Sequence, residues 1–264
     1  MTRVLSGAAL VVLAIAAVWF APDAVFLGLA IVLAAAGAGE LVTIAKARGI
    51  AVPRGAVELG AAVTVGAAAS LASPVAFAAI VLSAFVALAL LSLASWRAGS
   101  DALAVAAASI FPSIYVALPI ALLVAIRSAA GPAALFLLML TVMISDTAQY
   151  YTGRAFGKRP LAPAISPKKT IEGAIGGFVF GALTMAIAGA WWLPAMAPAV
   201  RVLVGVAIVA LGIAGDLFES MLKRSAGIKD SSGLIPGHGG VLDRIDALLF
   251  AAPLYYIVLA ASSQ

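Results

Sequence analysis

Apolar residues run in long blocks along this chain. The charges and prolines that interrupt them mark off nine segments, at residues 4–20, 24–46, 56–72, 74–95, 102–126, 132–151, 171–193, 199–218 and 244–261. A helix that crosses a bilayer needs about 20 apolar residues, with a range of roughly 17 to 25, and each block meets that length. The pattern predicts an all-α, polytopic integral membrane protein with about nine transmembrane helices. The third segment is the least regular, because Glu58 lies near its start and Ser73 separates it from the fourth. Arg3 followed by apolar residues to Phe20 has the outline of a secretory signal peptide. Trp19-Phe20-Ala21-Pro22-Asp23 is a poor small-residue cleavage site, however, so this run is expected to be the first retained helix. In the seventh segment Gly173, Gly177 and Gly181 recur every four residues, a stripe expected to serve close helix packing.

Composition agrees with this reading. Hydrophobic residues make up 64% of the 264 and charged residues only 10%, with a mean hydropathy of +1.17, whereas soluble domains carry about 25% charged residues. The absence of Cys excludes disulfides, thiolate metal sites and thiol nucleophiles, leaving carboxylates, Lys, Arg, Ser and one His for any chemistry. A net charge of +5 could serve nucleic acid or an anionic membrane surface, and the positions of the charges favour the membrane. The nine-helix division puts Arg3, Lys46, Arg48, Arg54, Arg97, Arg154, Lys158, Arg159, Lys168, Lys169, Lys223, Arg224, Lys229 and Arg244 on one side. Only Arg127 and Arg201 fall on the other, a split of 14 to 2. Cytoplasmic loops are the basic ones, so the N-terminus and the polar segments 152–170 and 219–243 are expected in the cytoplasm. Neither segment is long enough for a soluble domain. Residues 1–264 are expected to form a single integral membrane domain, with N-terminal helices over 1–130 and catalytic helices and cytoplasmic loops over 131–264.

Seven of the eleven acidic residues fall between Asp146 and Asp246, which directs attention to the second half. Asp216 lies 15 residues beyond Arg201, about 22 Å along a regular helix and near the cytoplasmic leaflet edge. Asp243 and Asp246, three apart at the start of the ninth helix, share a face and can direct carboxylates to one point, as Mg²⁺ requires. Spacing alone equally allows Asp243 to be an N-cap and Asp246 a first-turn acid favoured by the helix dipole. Pro236-Gly237-His238-Gly239-Gly240 is a tight loop whose backbone N–H groups could approach an anion closely. It lacks P-loop spacing, and a lone His often serves only its loop. Thr170 is a plausible N-cap for the seventh helix, where Lys168 and Lys169 flank a potential anion site. Asp146, within Ser145-Asp146-Thr147, is a candidate because acids inside membranes usually serve function.

The stretch Ser220-Met-Leu-Lys223-Arg224, Lys229-Asp230, Ser232, Ile235-Pro236, His238-Gly239-Gly240-Val and Asp243-Arg244-Ile-Asp246 resembles the signature of the phosphatidate cytidylyltransferase (CDP-diacylglycerol synthase) family. Ser145-Asp146-Thr147-Ala148-Gln149-Tyr150 and Ser166-Pro167-Lys168-Lys169-Thr170-Ile171-Glu172-Gly173 are similar to that family too, with Gln149 at a position where a small residue is expected. The resemblance implies transfer of a cytidylyl group from CTP to phosphatidic acid, with release of pyrophosphate. It further implies Mg²⁺ with a second cation nearby, a homodimer, and a multi-pass protein of the cell membrane with its active site facing the cytoplasm. Asp216, Asp243 and Asp246 are the implied metal ligands, and with Lys223 and Arg224 the implied catalytic group. Asp146, Lys168, Lys169, Ser220, Lys229, Asp230, His238, Gly239, Gly240 and Arg244 are the implied substrate contacts.

A secondary transporter would instead scatter relay carboxylates, such as Glu40, Asp146 and Asp216, through the membrane. A cytidylyltransferase acting on another lipid phosphate would share every motif named here. The D-G-x-x-A-R pattern of CDP-alcohol phosphatidyltransferases is absent. The charge split predicts that single cysteines at Gly157 and Gly233, in a chain with no native Cys, react with an impermeant maleimide only from the cytoplasmic side. Labelling of Gly233→Cys from outside intact cells would overturn the helix count.

Overall fold

The computed structural model describes residues 2–70, 74–95, 101–234 and 239–262. It is nearly all helical. In chain order the elements are α1 (Thr2–Phe20), α2 (Asp23–Ala47), α3 (Arg54–Ser70), α4 (Pro74–Ser95), α5 (Ala102–Pro112), a π-helical turn (Ser113–Ala117) and α6 (Leu118–Phe156). Two short strands follow, β1 (Pro160–Ala162) and β2 (Ser166–Thr170), then α7 (Ile171–Trp192), α8 (Pro198–Ser225) and α9 (Leu242–Ser262). Every apolar segment read from the sequence falls on a helix, residues 71–72 lying outside the described ones. Among the described residues, five helical runs, Asp23–Ala47, Ala102–Phe156, Ile171–Trp192, Pro198–Ser225 and Leu242–Ser262, are long and apolar enough to cross a membrane. The 55 residues of Ala102–Phe156 would measure about 80 Å as one helix, against a hydrocarbon core of about 30 Å. The run is broken at Gly131, whose φ of 84° and ψ of 169° are not helical.

Three features differ from the expected pattern. The polar segment 152–170 is shorter than expected, because α6 continues to Phe156, and it holds an antiparallel hairpin of β1 and β2. Leu161 of β1 packs with Phe178 and Leu217 on a buried cluster of Ala174, Val209 and Ile213. α8 runs to Ser225, so Glu219, Ser220, Lys223 and Arg224 are helical rather than part of a loop. It ends in a Schellman motif, with Ile228 N–H donating to Lys223 O at 3.0 Å and Gly227 N–H to Arg224 O at 3.0 Å. Gly227 takes the positive φ, 70°, that this cap requires. Finally, Gly157 has no room for a side chain, since an ideal Cβ would lie 2.2 Å from Gly153 O. Exposed Lys158 is therefore the better labelling position.

The chain forms two compact units, one of Met1–Ala125 with Leu222–Arg244, the other of Ile126–Met221 with Ile245–Gln264. In the first, α2 packs on α3, α5 and the π-turn. Glu58, the charge that made the third segment irregular, pairs with Arg54 at 2.7 Å one turn earlier and lies over Gly39. In the second unit the glycine stripe of α7 performs the expected packing. A Cβ on Gly177 would lie 2.5 Å from Gln149 Cγ, and one on Gly181 would lie 2.3 Å from Val209 Cγ2. Gly177 thus makes the room that the large Gln149 needs. Overpacking a close contact costs about 1–3 kcal/mol, so Gly181→Val should lower the thermal unfolding midpoint of the detergent-purified protein. Gly28→Ala, which meets nothing within 4 Å, should leave it unchanged or raise it. Equal behaviour of the two variants would show that the stripe is not a packing surface.

Candidate active site

In the first unit, the segment from the end of α8 to the start of α9 is organised by two carboxylates. Glu40, on α2, is buried. Its Oε1 accepts hydrogen bonds from Ser232 Oγ at 2.6 Å and Val241 N–H at 2.8 Å. Its Oε2 accepts from Ser231 Oγ at 2.7 Å and Leu242 N–H at 2.8 Å. A carboxylate from another helix therefore satisfies the amides that open α9, the task a local N-cap would perform. Asp243 does not cap in the forward direction. Its Oδ2 reaches back to Gly240 N–H at 2.7 Å and also accepts from Ser231 N–H at 3.2 Å, while Ser231 Oγ, whose single proton serves the shorter bond to Glu40, lies 2.9 Å away. Its Oδ1 meets the ammonium of Lys223, and both side chains of this ion pair are buried.

These carboxylates explain the two described glycines of the 236–240 loop. A Cβ on Gly240 would lie 2.4 Å from either Glu40 oxygen, and one on Gly239 would lie 2.5 Å from Asp243 Oδ2. Gly239 also has a positive φ of 78°. The close approach expected of the glycines occurs, and the anions approached are the protein's own. Pro236, Gly237 and His238 lie outside the described residues. Arg224 is exposed and donates to Ile228 O at 3.2 Å, and Lys229, Asp230 and Arg244 are exposed. Arg48, at the end of α2, donates to Ser225 O at 2.8 Å and holds the last turn of α8.

The second unit gathers the other acids. Asp146 on α6, Asp216 and Glu219 on α8 and Asp246 on α9 lie close enough for their charges to act on one another: Asp216 acts on Asp146, and Asp146, Asp216 and Glu219 act on Asp246. Lys169, from β2, pairs with Asp216 at 2.6 Å and also acts on Asp146. Ser220 Oγ lies 3.4 Å from Asp216 Oδ1, and Gln149 donates to Asp146 Oδ1 at 3.0 Å. α8 and α9 meet backbone to backbone here, since a Cβ on Gly215 would lie 2.5 Å from Asp246 O. Thr170 caps α7 as expected, accepting from Gly173 N–H at 3.1 Å. Lys169 turns to Asp216, while Lys168 is exposed. Glu172 accepts from the backbone of Lys158 and Arg159 at 3.0 and 3.2 Å, fastening the entrance of the hairpin.

No three acidic or histidine side chains among the described residues converge as a ready-made metal cage. Mg²⁺ seldom needs one, as it binds through one or two carboxylates, waters and substrate phosphates. The donor set suits it: Asp146, Asp216, Glu219 and Asp246 are oxygen-bearing acids whose charges act on one another, and Lys169 pairs with Asp216. Asp216 and Asp246 fall in this group, and Asp243 is engaged with Lys223 in the first unit. Sequence reasoning missed Glu40 and Gly215 as contributors. Glu40 gave no local signal because its partners are two serines and two backbone amides some 191 to 202 positions away.

Over 127 residues the chain is 42% identical to a phosphatidate cytidylyltransferase of Aquifex aeolicus, a stretch covering 48% of this chain and 47% of that protein. Over 129 residues it is 48% identical to that of Haemophilus influenzae, covering 46% and 44%. Over 129 residues it is 44% identical to that of Mycobacterium bovis, covering 49% and 42%. The matched stretch spans about half the length of these curated relatives or slightly less. The chain itself, matched over residues 1–262 by the model of the Cytidylyltransferase family, belongs to that family.

Proposed function

We propose that the chain is a phosphatidate cytidylyltransferase. A phosphate oxygen of phosphatidic acid attacks the α-phosphorus of CTP, and the new P–O bond replaces the one to the bridging oxygen, so that pyrophosphate leaves and CDP-diacylglycerol forms. The observation that carries this reading is the group of Asp146, Asp216, Glu219 and Asp246 with Lys169, built from three helices and a strand of one unit. Membership of the family and similarity to three named phosphatidate cytidylyltransferases support it.

Nucleotidyl transfer needs little covalent help from protein, but it does need cations positioned where phosphate oxygens carry charge. The phosphate of phosphatidic acid is a phosphomonoester, with a second pKa near 6, so it arrives largely ionised and needs no dedicated base. Asp216 and Asp246 would hold Mg²⁺, with Asp146 and a second cation beside them. When bound, Mg²⁺ neutralises phosphate charge and orients the leaving group. The resemblance gives Asp243 to the metal as well. By the resemblance, Arg224, Lys229 and Arg244 of the first unit and Lys168 of the second, all exposed, would each serve phosphates, while Asp243 orients the Lys223 ammonium. The reading includes nine crossings, a cytoplasmic N-terminus and site, a cell-membrane location and a homodimer. The 14 to 2 charge split supports its orientation. The transporter alternative loses one of its relay acids, because Glu40 has donors on both oxygens from the 231–242 segment.

The direct test is formation of labelled CDP-diacylglycerol from CTP, phosphatidic acid and Mg²⁺ by the purified protein. Absence of product with phosphatidic acid, and its appearance with another lipid phosphate, would move the assignment to that substrate. Neutralising exposed Arg224 should lower kcat/KM about 10- to 150-fold, for a charge-assisted contact of about 1.5–3 kcal/mol. Arg159→Gln, which breaks only an exposed pair with Glu172, should cost far less.

The buried pair requires a different design. Asp243→Asn or Lys223→Gln alone breaks a buried ion pair and should destabilise the protein by about 3–5 kcal/mol. The double variant should recover most of that stability. If these side chains serve the reaction, its turnover should stay at least about 10²-fold below wild type. A stable double variant with near wild-type turnover would assign the pair to folding alone.

A further inference from the structure

Resting on the reaction proposed above, we infer that Glu40 is a positioning residue for it: a carboxylate of α2, in the N-terminal half, sets the placement of Ser231, Ser232, Val241 and Leu242, through which Asp243 and Lys223 are aimed. Glu40 presents two oxygens to four donors, Ser231 Oγ, Ser232 Oγ, Val241 N–H and Leu242 N–H, at 2.6 to 2.8 Å. A carboxylate has about four lone-pair directions, so these contacts saturate it. Saturation leaves Glu40 no capacity as a metal ligand or proton carrier and identifies it as a fixed acceptor. Ser231, held by Glu40, gives its own N–H to Asp243 and places its hydroxyl 2.9 Å from the same oxygen. Asp243 in turn holds the Lys223 ammonium. The order of dependence runs from Glu40 through Ser231 to Asp243 and Lys223, and Glu40 itself touches neither Asp243 nor Lys223 in any of these bonds.

The two oxygens divide the backbone amides between them, Oε1 taking Val241 N–H and Oε2 taking Leu242 N–H. An amide side chain cannot reproduce this. Whichever way Gln is turned, its NH₂ faces one of those two N–H groups, donor against donor, while volume and burial are kept. Glu40→Gln is therefore a lesion of hydrogen-bond polarity rather than of packing. Glu40→Asp keeps both acceptor oxygens on a shorter arm and should recover part of the function.

The test uses the purified full-length protein, well below its unfolding temperature. It measures binding of Mn²⁺·CTP by electron paramagnetic resonance together with kcat and KM for CTP. The control is Thr64→Ala, which removes a buried hydroxyl bonded only to its own helix at Gly60 O. Glu40→Gln should weaken Mn²⁺·CTP binding about tenfold and lower kcat about 10- to 100-fold, the scale expected for a displacement near 1 Å. Glu40→Asp should fall between it and wild type, and Thr64→Ala should match wild type in both readings. Wild-type affinity and kcat in folded Glu40→Gln, even with a lowered unfolding midpoint, would overturn the positioning role and leave the proposed reaction standing. A wild-type protein that binds no Mn²⁺·CTP would overturn the reaction, and this inference with it.

Discussion

A charge removed from water must be met by an opposite charge or by donors, because leaving it unmet costs several kcal/mol. In a chain with only 10% charged residues, that constraint decides how the polar parts are built. Glu40 is met by two hydroxyls and two amides, Asp243 by an ammonium and two amides, and the partly exposed Asp216 by Lys169. The described residues before α9, the start of α9 and the last turn of α8 take their conformations from these bonds. The hydrophobic helices supply the frame, and the few buried ions fix the details within it.

The same constraint explains why phosphate chemistry suits such a protein. Acids held at fixed positions can accept a divalent ion, and a divalent ion commonly carries a polyphosphate, which is the basis of the function proposed above. Lys169 on Asp216 and Lys223 on Asp243 keep their carboxylates oriented and distribute the surrounding charge.

Much of the fold was legible because lipid-compatible helices leave an unmistakable hydropathy record, and each of the nine apolar blocks lies on a helix. α8 ran seven residues past its expected end because Glu219, Ser220, Lys223 and Arg224 look like loop residues when polarity is the guide. Gly227, the residue that ends the helix, is one of 25 glycines in the sequence, and only its cap bonds distinguish it as the stop. The hairpin of β1 and β2 was too short to leave a period. Asp243 was legible as important, yet its spacing suggested a cap, whereas its carboxylate turns backward to Gly240. Glu40 was illegible for a physical reason: an acceptor for backbone amides imposes no side-chain pattern on its partners.

Gly215 bears on how reproducible the acid group is. Where side chains separate two helices, the gap breathes as rotamers exchange, and it can be retuned by substituting one residue for another. At Gly215 the spacer is the peptide backbone itself, with Asp246 O seated where a β-carbon would be. The backbones of α8 and α9 therefore cannot come closer here, and the Asp216 and Asp246 side chains are based on a fixed backbone spacing. Adaptation to a different growth temperature would have to proceed elsewhere, in loops and lipid-facing positions, while this contact is kept unchanged as a gauge.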